Sequence, residues 1–199
     1  SGGGARGFAH VGVVQALREA GVPIDAVGGT SMGAIMGAGV AAGWSVAEMV
    51  ERFRRTFVAT NPLNDYTLPL IALVAGRKVS RLLRQEFGEV AIDDLRLPFY
   101  AVSSNLTTGR GVVHAEGELW RWLRASVAIP GVLPPVFHRG DVHVDGGAIN
   151  NLPVDVMRAQ ARGVVIGVDV GHDAAFCADA DDVDLPPLWK LLAGLRRRR

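Results

Sequence analysis

The pentapeptide Gly29-Thr30-Ser31-Met32-Gly33 constrains the fold more than any other stretch of this chain. It is a G-x-S-x-G set between two apolar segments. Before it, Ile24-Asp25-Ala26-Val27 reads as a short buried strand; after it, residues 34–42 (Ala-Ile-Met-Gly-Ala-Gly-Val-Ala-Ala) read as a buried helix. Strand, sharp turn and helix are the parts of a nucleophile elbow. Gly29 and Gly33 let the backbone turn tightly, and the turn lifts the Ser31 hydroxyl clear of the chain. The helix behind it points free N–H groups and a partial positive charge at the place where negative charge would develop. With 25 glycines in 199 residues, the pentapeptide alone arises easily by chance. Its strand-to-helix setting gives it weight.

The rest of the chain alternates in the same way. Residues 10–20 read as a helix, with Val11, Val14 and Leu17 at helical spacing and Gly21 as its stop. Ser45-Val46-Ala47-Glu48 is a capping box that opens an amphipathic helix to about residue 58. Residues 79–87 and 118–128 read as helices, 98–104, 111–114 and 142–144 as strands, and Pro153 starts a helix to about residue 161. Residues 164–170 (Val-Val-Ile-Gly-Val-Asp-Val) are a nearly continuous apolar run, as in a strand inside a parallel sheet. Hydrophobic residues make up 49% of the chain and aromatics 7%, a balance that suits close helix-on-sheet packing. The expected fold is α/β: a mixed, mostly parallel central sheet with helices on both faces. Residues 1–171 read as one domain and 172–199 as an irregular tail. Ligands of such sheets sit at the C-terminal strand ends, where Gly2–Gly7, Ser31 and Asp145 all fall in this reading.

A net charge of +1 gives no bulk attraction for nucleic acid. Two local exceptions, Arg52 with Arg54 and Arg55, and the terminal Arg196 to Arg199, are either solvated surface or contacts to anionic lipid head groups. The segment 61–76, irregular and then apolar from Leu68 to Val74, is either core or a mobile wall of an acyl-binding site. Cys177 is the single cysteine, which excludes an intrachain disulfide and a thiolate metal cluster and is consistent with a reducing compartment. No apolar run reaches the ~20 residues of a membrane-spanning helix.

A serine hydroxyl needs a base, and two candidates compete. Asp145, in Val144-Asp145-Gly146-Gly147, follows a strand directly, and the two glycines permit close approach of another backbone. His172 completes the order Ser31, Asp145, His172, which mimics the order of α/β-hydrolases. For the oxyanion, the consecutive N–H groups of Gly2-Gly3-Gly4-Ala5-Arg6-Gly7 can form an anion-binding nest, with Arg6 as a supporting cation. The same stretch matches G-x-G-x-x-G and raises a nucleotide-binding rival. That fingerprint expects an acidic residue at the end of the next strand, and here Asp25 lies at its start. The histidines have no metal-ligand spacing.

Ser1-Gly2-Gly3-Gly4-Ala5-Arg6-Gly7, Gly29-Thr30-Ser31-Met32-Gly33 and Asp145-Gly146-Gly147, in that order, strongly resemble the patatin-like phospholipase family, over residues 1 to about 171. The segments from Asn61-Pro62-Leu63 to Gly76-Arg77, Leu119-Trp120-Arg121, residues 129–135 and residues 145–153 look most like its neuropathy target esterase (NTE) branch. The resemblance implies a three-layer patatin-like fold and a serine esterase acting on lysophospholipids or phospholipids, with fatty acid released. Ser31 and Asp145 would form a catalytic dyad, leaving His172 a bystander. Gly2, Gly3 and Gly4 would hold the oxyanion with support from Arg6, and Gly29, Gly33, Gly146 and Gly147 would shape the two motifs. It implies no metal or organic cofactor, no nucleic-acid partner, a cytoplasmic location with peripheral contact to a membrane surface, and an upstream regulatory domain in a longer parent. A bare carboxylate, with a reference pKa near ~4, is poorly matched to a serine proton, so the dyad requires a dry site and strong oxyanion stabilisation. The chain lacks the strand that in the family precedes the glycine-rich loop. That departure keeps a second reading in play, a non-catalytic lipid-binding or regulatory module of the same fold.

Overall fold

Phe-Tyr-Ala-Val-Ser-Ser-Asn, residues Phe99–Asn105 (β2), is buried at every position and forms the axis of the sheet. The computed structural model describes residues 1–160 and 163–171. Val27–Thr30 (β1) runs parallel to β2, from Val27 opposite Phe99 to Thr30 opposite Val102. Arg110–His114 (β3) returns antiparallel over Ala101–Asn105. Asp141–Asp145 (β5) is antiparallel to β2, with Ser103 opposite Asp145 and Asn105 opposite His143, and Val136–His138 (β4) pairs with β5 as a hairpin. Because β3 overlaps the spans of both β1 and β5 on β2, it holds one edge of β2 and the other two share the opposite edge. There they run toward each other, and their last residues, Thr30 and Asp145, pair with the neighbouring residues Val102 and Ser103.

The helices lie as their apolar faces dictate. Met32–Ala41 (α2) is apolar and small on all sides, so every residue from Gly33 to Ala41 is buried. Ala9–Glu19 (α1) and Val46–Phe53 (α3) pack beside it. Ser45 caps α3 as expected: its side chain accepts from Glu48 N–H, and the Glu48 carboxylate accepts from Ser45 N–H at 2.7 Å. Arg77–Phe87 (α4) and Leu119–Ser126 (α5) complete the layer, with Met49, Phe53, Leu83, Leu119 and Leu123 fully buried between them. Burial of a side chain of this size contributes about 1.5–3 kcal/mol. The Phe99 and Ala101 face of β2 joins this core. On the opposite face Tyr100 donates to the Pro153 carbonyl at 2.7 Å, just before Val154–Gln160 (α6).

Four expectations change. The sheet is mixed, but among the described residues one ladder is parallel and three are antiparallel. The short turns decide this: Arg139 and Gly140 both have positive φ, 50° and 87°, the backbone of a two-residue hairpin loop. The elbow strand is 27–30 and not 24–27. Gly28 and Gly29 are weak strand formers, but the Tyr100 ring fills the space where a Cβ at Gly28 would stand, 2.0 Å away, so packing overrides propensity. The α3 helix ends at Phe53 and continues as a π-helical turn over Arg54–Ala59. Residues 164–170 form no ladder, and Val164 is 94% exposed. Among the described residues Ser1 bonds this backbone: its amino group donates to Val168 O at 2.8 Å, and its side-chain Oγ accepts from Val170 N–H at 2.9 Å.

Candidate active site

Ser31 sits between β1 and α2 at φ 54°, ψ −127°, a backbone conformation that a residue with a side chain rarely adopts. The conformation turns the chain from strand to helix within one residue. Two contacts hold it. Ser31 N–H donates to Ser126 Oγ at 2.8 Å, and Ser126 Oγ–H donates to Val102 O at 2.6 Å. The turn is thereby tied to β2 through α5. Gly29 and Gly33 are required for contact reasons: a Cβ on Gly29 would lie 2.6 Å from the Gly33 carbonyl carbon, and one on Gly33 would lie 2.3 Å from Ser1 O.

Asp145 arrives from the opposite direction, at the end of β5. Its N–H donates to Ala128 O at 2.9 Å. One carboxylate oxygen, Oδ1, accepts from Gly147 N–H at 2.8 Å, and the other, Oδ2, accepts from the Ser31 hydroxyl at 2.7 Å. Ser31 and Asp145 are each 7% exposed. Burial pushes the Asp145 carboxyl above its ordinary range, and the hydrogen bonds from Ser31 and Gly147 only partly oppose this. The shift moves the carboxylate toward a better match with a serine proton.

The glycine-rich segment passes over this pair. A Cβ on Gly2 would stand 3.0 Å from Ser31 Cβ and 2.6 Å from Asn151 Oδ1, so the backbone lies directly against Ser31. Gly2 N–H is already committed to Asn151 O at 3.1 Å, which makes Gly2 a close-approach position and not a free donor. Gly3 and Gly4 N–H have no partner among the described residues, and Gly4 has φ 56°. Nor has Met32 N–H, in the first turn of α2, where orphan donors are expected. The loop is held from below by His10, whose Nε2 lies 2.8 Å from Ser1 O. Burial holds the His10 imidazole below its ordinary pKa.

Of the residues singled out by sequence, Ser31, Asp145, Gly2, Gly29, Gly33, Gly146 and Gly147 meet in one place, while a Cβ on Gly3 would meet Val170 and one on Gly4 nothing within 4 Å. Arg6 is exposed on a 3-10 turn over Gly4–Phe8, and among the described residues its side chain makes no hydrogen bond or ion pair. His172, Cys177 and Arg196 to Arg199 lie outside the described residues. The described histidines are engaged elsewhere. His114 and His143 flank the Ser103 hydroxyl at 2.7 and 2.9 Å, and His138 lies 3.3 Å from an Arg121 nitrogen. Asp25 is exposed and precedes β1, so the acidic residue a dinucleotide site needs at the strand end is not there. Sequence reasoning missed Met32 and Ser126. The first had a signal, because the N–H after an elbow nucleophile is a standard oxyanion donor. Ser126, 95 residues from Ser31 in the chain, had none.

A family model described as Patatin-like phospholipase matches residues 1–158. An uncharacterized NTE family protein of Mycobacterium tuberculosis is 45% identical over 170 residues, 85% of this chain and 29% of that protein. Lysophospholipase nte1 of Aspergillus fumigatus is 39% identical over 174 residues, 85% of this chain and 11% of its own length. The chain thus spans less than a third of these relatives. The solved structure of VipD from Legionella pneumophila superposes with a TM-score of 0.55 over 76% of this chain and 46% of that one, at 15% identity, a likeness of fold. The chain belongs to the patatin-like phospholipase family, in its NTE branch.

Proposed function

We propose that this domain is a serine esterase that hydrolyses acyl ester bonds of lysophospholipids or phospholipids. The observation that carries the reading is the 2.7 Å hydrogen bond from the Ser31 hydroxyl to Asp145 Oδ2, made on a strained turn beside unpartnered N–H groups. A relative that bears the name lysophospholipase supports the choice of substrate class. Asp145 takes the Ser31 proton as Oγ attacks the acyl carbonyl. The tetrahedral oxyanion is held by the N–H groups of Gly3, Gly4 and Met32, at the positive end of α2. Asp145 then gives its proton to the departing glycerol oxygen, leaving an acyl ester on Ser31. In the second half, Asp145 draws a proton from water, the hydroxide attacks the acyl ester, and fatty acid leaves as Ser31 recovers its proton. Ser31 and Asp145 carry both halves without a metal. Arg6 acts on the loop only through its charge, and regulatory domains upstream in a longer parent remain part of the proposal.

The test is hydrolysis of lysophosphatidylcholine with labelling by a fluorophosphonate probe, in wild type, Ser31→Ala and Asp145→Asn. Turnover and labelling lost in Ser31→Ala, with turnover down by ~10³-fold or more in Asp145→Asn, support the dyad. A wild type that binds the lipid without turnover or labelling would overturn it in favour of a binding module of the same fold.

A further inference from the structure

The segment between Asn61 and Gly76 is neither the core that its apolar sequence allows nor the wall of a closed cavity. Tyr66 is 78% exposed, Leu68 79%, Leu70 88% and Ile71 70%. Only Ala72 and Val74 turn inward. Single exposed apolar residues are ordinary on a protein surface, but a contiguous run of them marks an interaction site. The run is held in place and does not dangle: Leu73 N–H donates to Gly131 O at 2.9 Å and Val74 N–H to Val132 O at 3.1 Å. The strip it lies on, residues 129–133, follows Ala128, whose carbonyl accepts from Asp145 N–H. The exposed loop is therefore fixed to the same backbone that positions the catalytic carboxylate.

Directly after the loop, α4 presents Arg77, Arg81 and Arg84, all exposed, at the i, i+4, i+7 spacing of one helix face. Together with Trp120 of α5 they line a groove of about 520 Å³. No carboxylate pairs with these three arginines among the described residues; the nearby Glu86 is taken by Arg52 and Arg55, and Glu118 by Arg121. Arg84 stacks on the Trp120 ring, with Cζ 3.8 Å from its centroid. Trp120 is 8% exposed, and its Nε1 donor has no acceptor. A buried N–H left without a partner is costly. Arg77 and Arg81 have no described ion pair and Arg84 has none beyond the Trp120 ring, so the groove offers its positive charge to an anionic oxygen ligand. The Arg52–Arg55 cluster, by contrast, is spent on Glu86 and on the Trp44 ring.

We propose that the 66–73 loop and the α4–α5 groove together form a docking surface for a bilayer rich in anionic phospholipid. Leu68, Leu70 and Ile71 enter the acyl boundary, while Arg77, Arg81 and Arg84 take lipid phosphates. The choice of a lipid partner rests on the esterase reading above; the evidence for the surface does not. The test is co-sedimentation with vesicles of phosphatidylcholine alone and of phosphatidylcholine with phosphatidylserine. Wild type binds the anionic vesicles and is released by salt. Arg77→Gln with Arg81→Gln and Arg84→Gln weakens binding by on the order of 100-fold, at about fivefold per cation near the surface. Leu70→Asp with Ile71→Asp weakens it by about tenfold or more, and both variants keep the wild-type thermal unfolding midpoint. Ser31→Ala binds like wild type, which separates failure of the docking proposal from failure of the esterase one. Binding that ignores phosphatidylserine, or that survives either multiple substitution, overturns the proposal.

Discussion

Acid should unfold this domain through His114, and the size of the effect follows from where the ring lies. His114 is buried against Trp122, with ring centroids 3.7 Å apart and planes 9° from parallel, and its Nε2 lies 2.7 Å from the Ser103 hydroxyl. Burial, then the neighbouring His143 and His138, push its pKa from 6.5 down to about 3. The folded protein keeps the ring neutral at pH 5, whereas the unfolded chain takes up a proton as pH falls through 6.5. Stability from this residue is intact above 6.5 and drains away down to about 3. Between pH 7 and pH 5 the loss is about 2 kcal/mol, or about 4–8 °C in unfolding midpoint for a domain of this size. His143 and His10 are shifted in the same direction by burial and add to it; Asp145, shifted up, works against it. The assay is urea unfolding at several pH values between 5 and 7, for wild type and for His114→Gln, whose amide oxygen can still accept from Ser103. Absolute stability falls in the variant because the indole stacking is lost, so the quantity to compare is the slope with pH. A wild-type slope steeper than that of His114→Gln by up to about 1.4 kcal/mol per pH unit supports the reasoning. Equal slopes would refute it.

Two further outcomes test the site's scaffold. Gly33→Ala brings a Cβ to 2.3 Å from Ser1 O, and rigid backbone on both sides means the glycine loop must move; esterase turnover should fall more than tenfold at a stability cost of about 1–3 kcal/mol, checked by initial rates and thermal unfolding. Ser126→Ala strips the acceptor from Ser31 N–H and the donor from Val102 O, both buried; it should cost about 1–3 kcal/mol in urea unfolding and lower kcat, whereas Ser126→Thr, which keeps the hydroxyl, should restore most of both.

What was legible in the sequence was local. The capping box at Ser45 and the all-apolar α2 depend on residues near one another in the chain, and they formed as read, within one or two residues at their ends. What was not legible depends on partners far away. Gly28-Gly29 became strand because Tyr100 covers it. The apolar run 164–170 pairs with no strand among the described residues. Leu68 to Ile71 read as either core or the wall of an acyl site and face solvent, because a loop pinned to residues 131 and 132 cannot turn every side chain inward. The same division holds in the site. Ser31 and Asp145 were named from motifs, while Ser126, which holds the strained turn, carries no motif. Gly2 was read as a donor, but its N–H is spent on Asn151, a residue whose nearness only the fold creates.

The arrangement of β2 explains why two motifs 114 residues apart meet with hydrogen-bond accuracy. Thr30 and Asp145 are not brought together by a loop but by pairing with adjacent residues of one buried strand, Val102 and Ser103. Neighbouring positions along a strand are about 3.3 Å apart, so the ladder itself sets the distance between Ser31 and Asp145. A slip of one residue in either pairing would turn Asp145 or the elbow to the other face of the sheet. The contacts around β2 guard against that slip from both sides: Ser126 ties Ser31 to Val102 O, and Ser103, fully buried, meets His114 from β3 and His143 from β5. Burial of this junction also excludes the water that would hold Asp145 at an ordinary carboxylate pKa. One structural fact, two strands ending head to head on a third, therefore supplies both the geometry of the Ser31–Asp145 hydrogen bond and the dry setting that the proposed dyad requires.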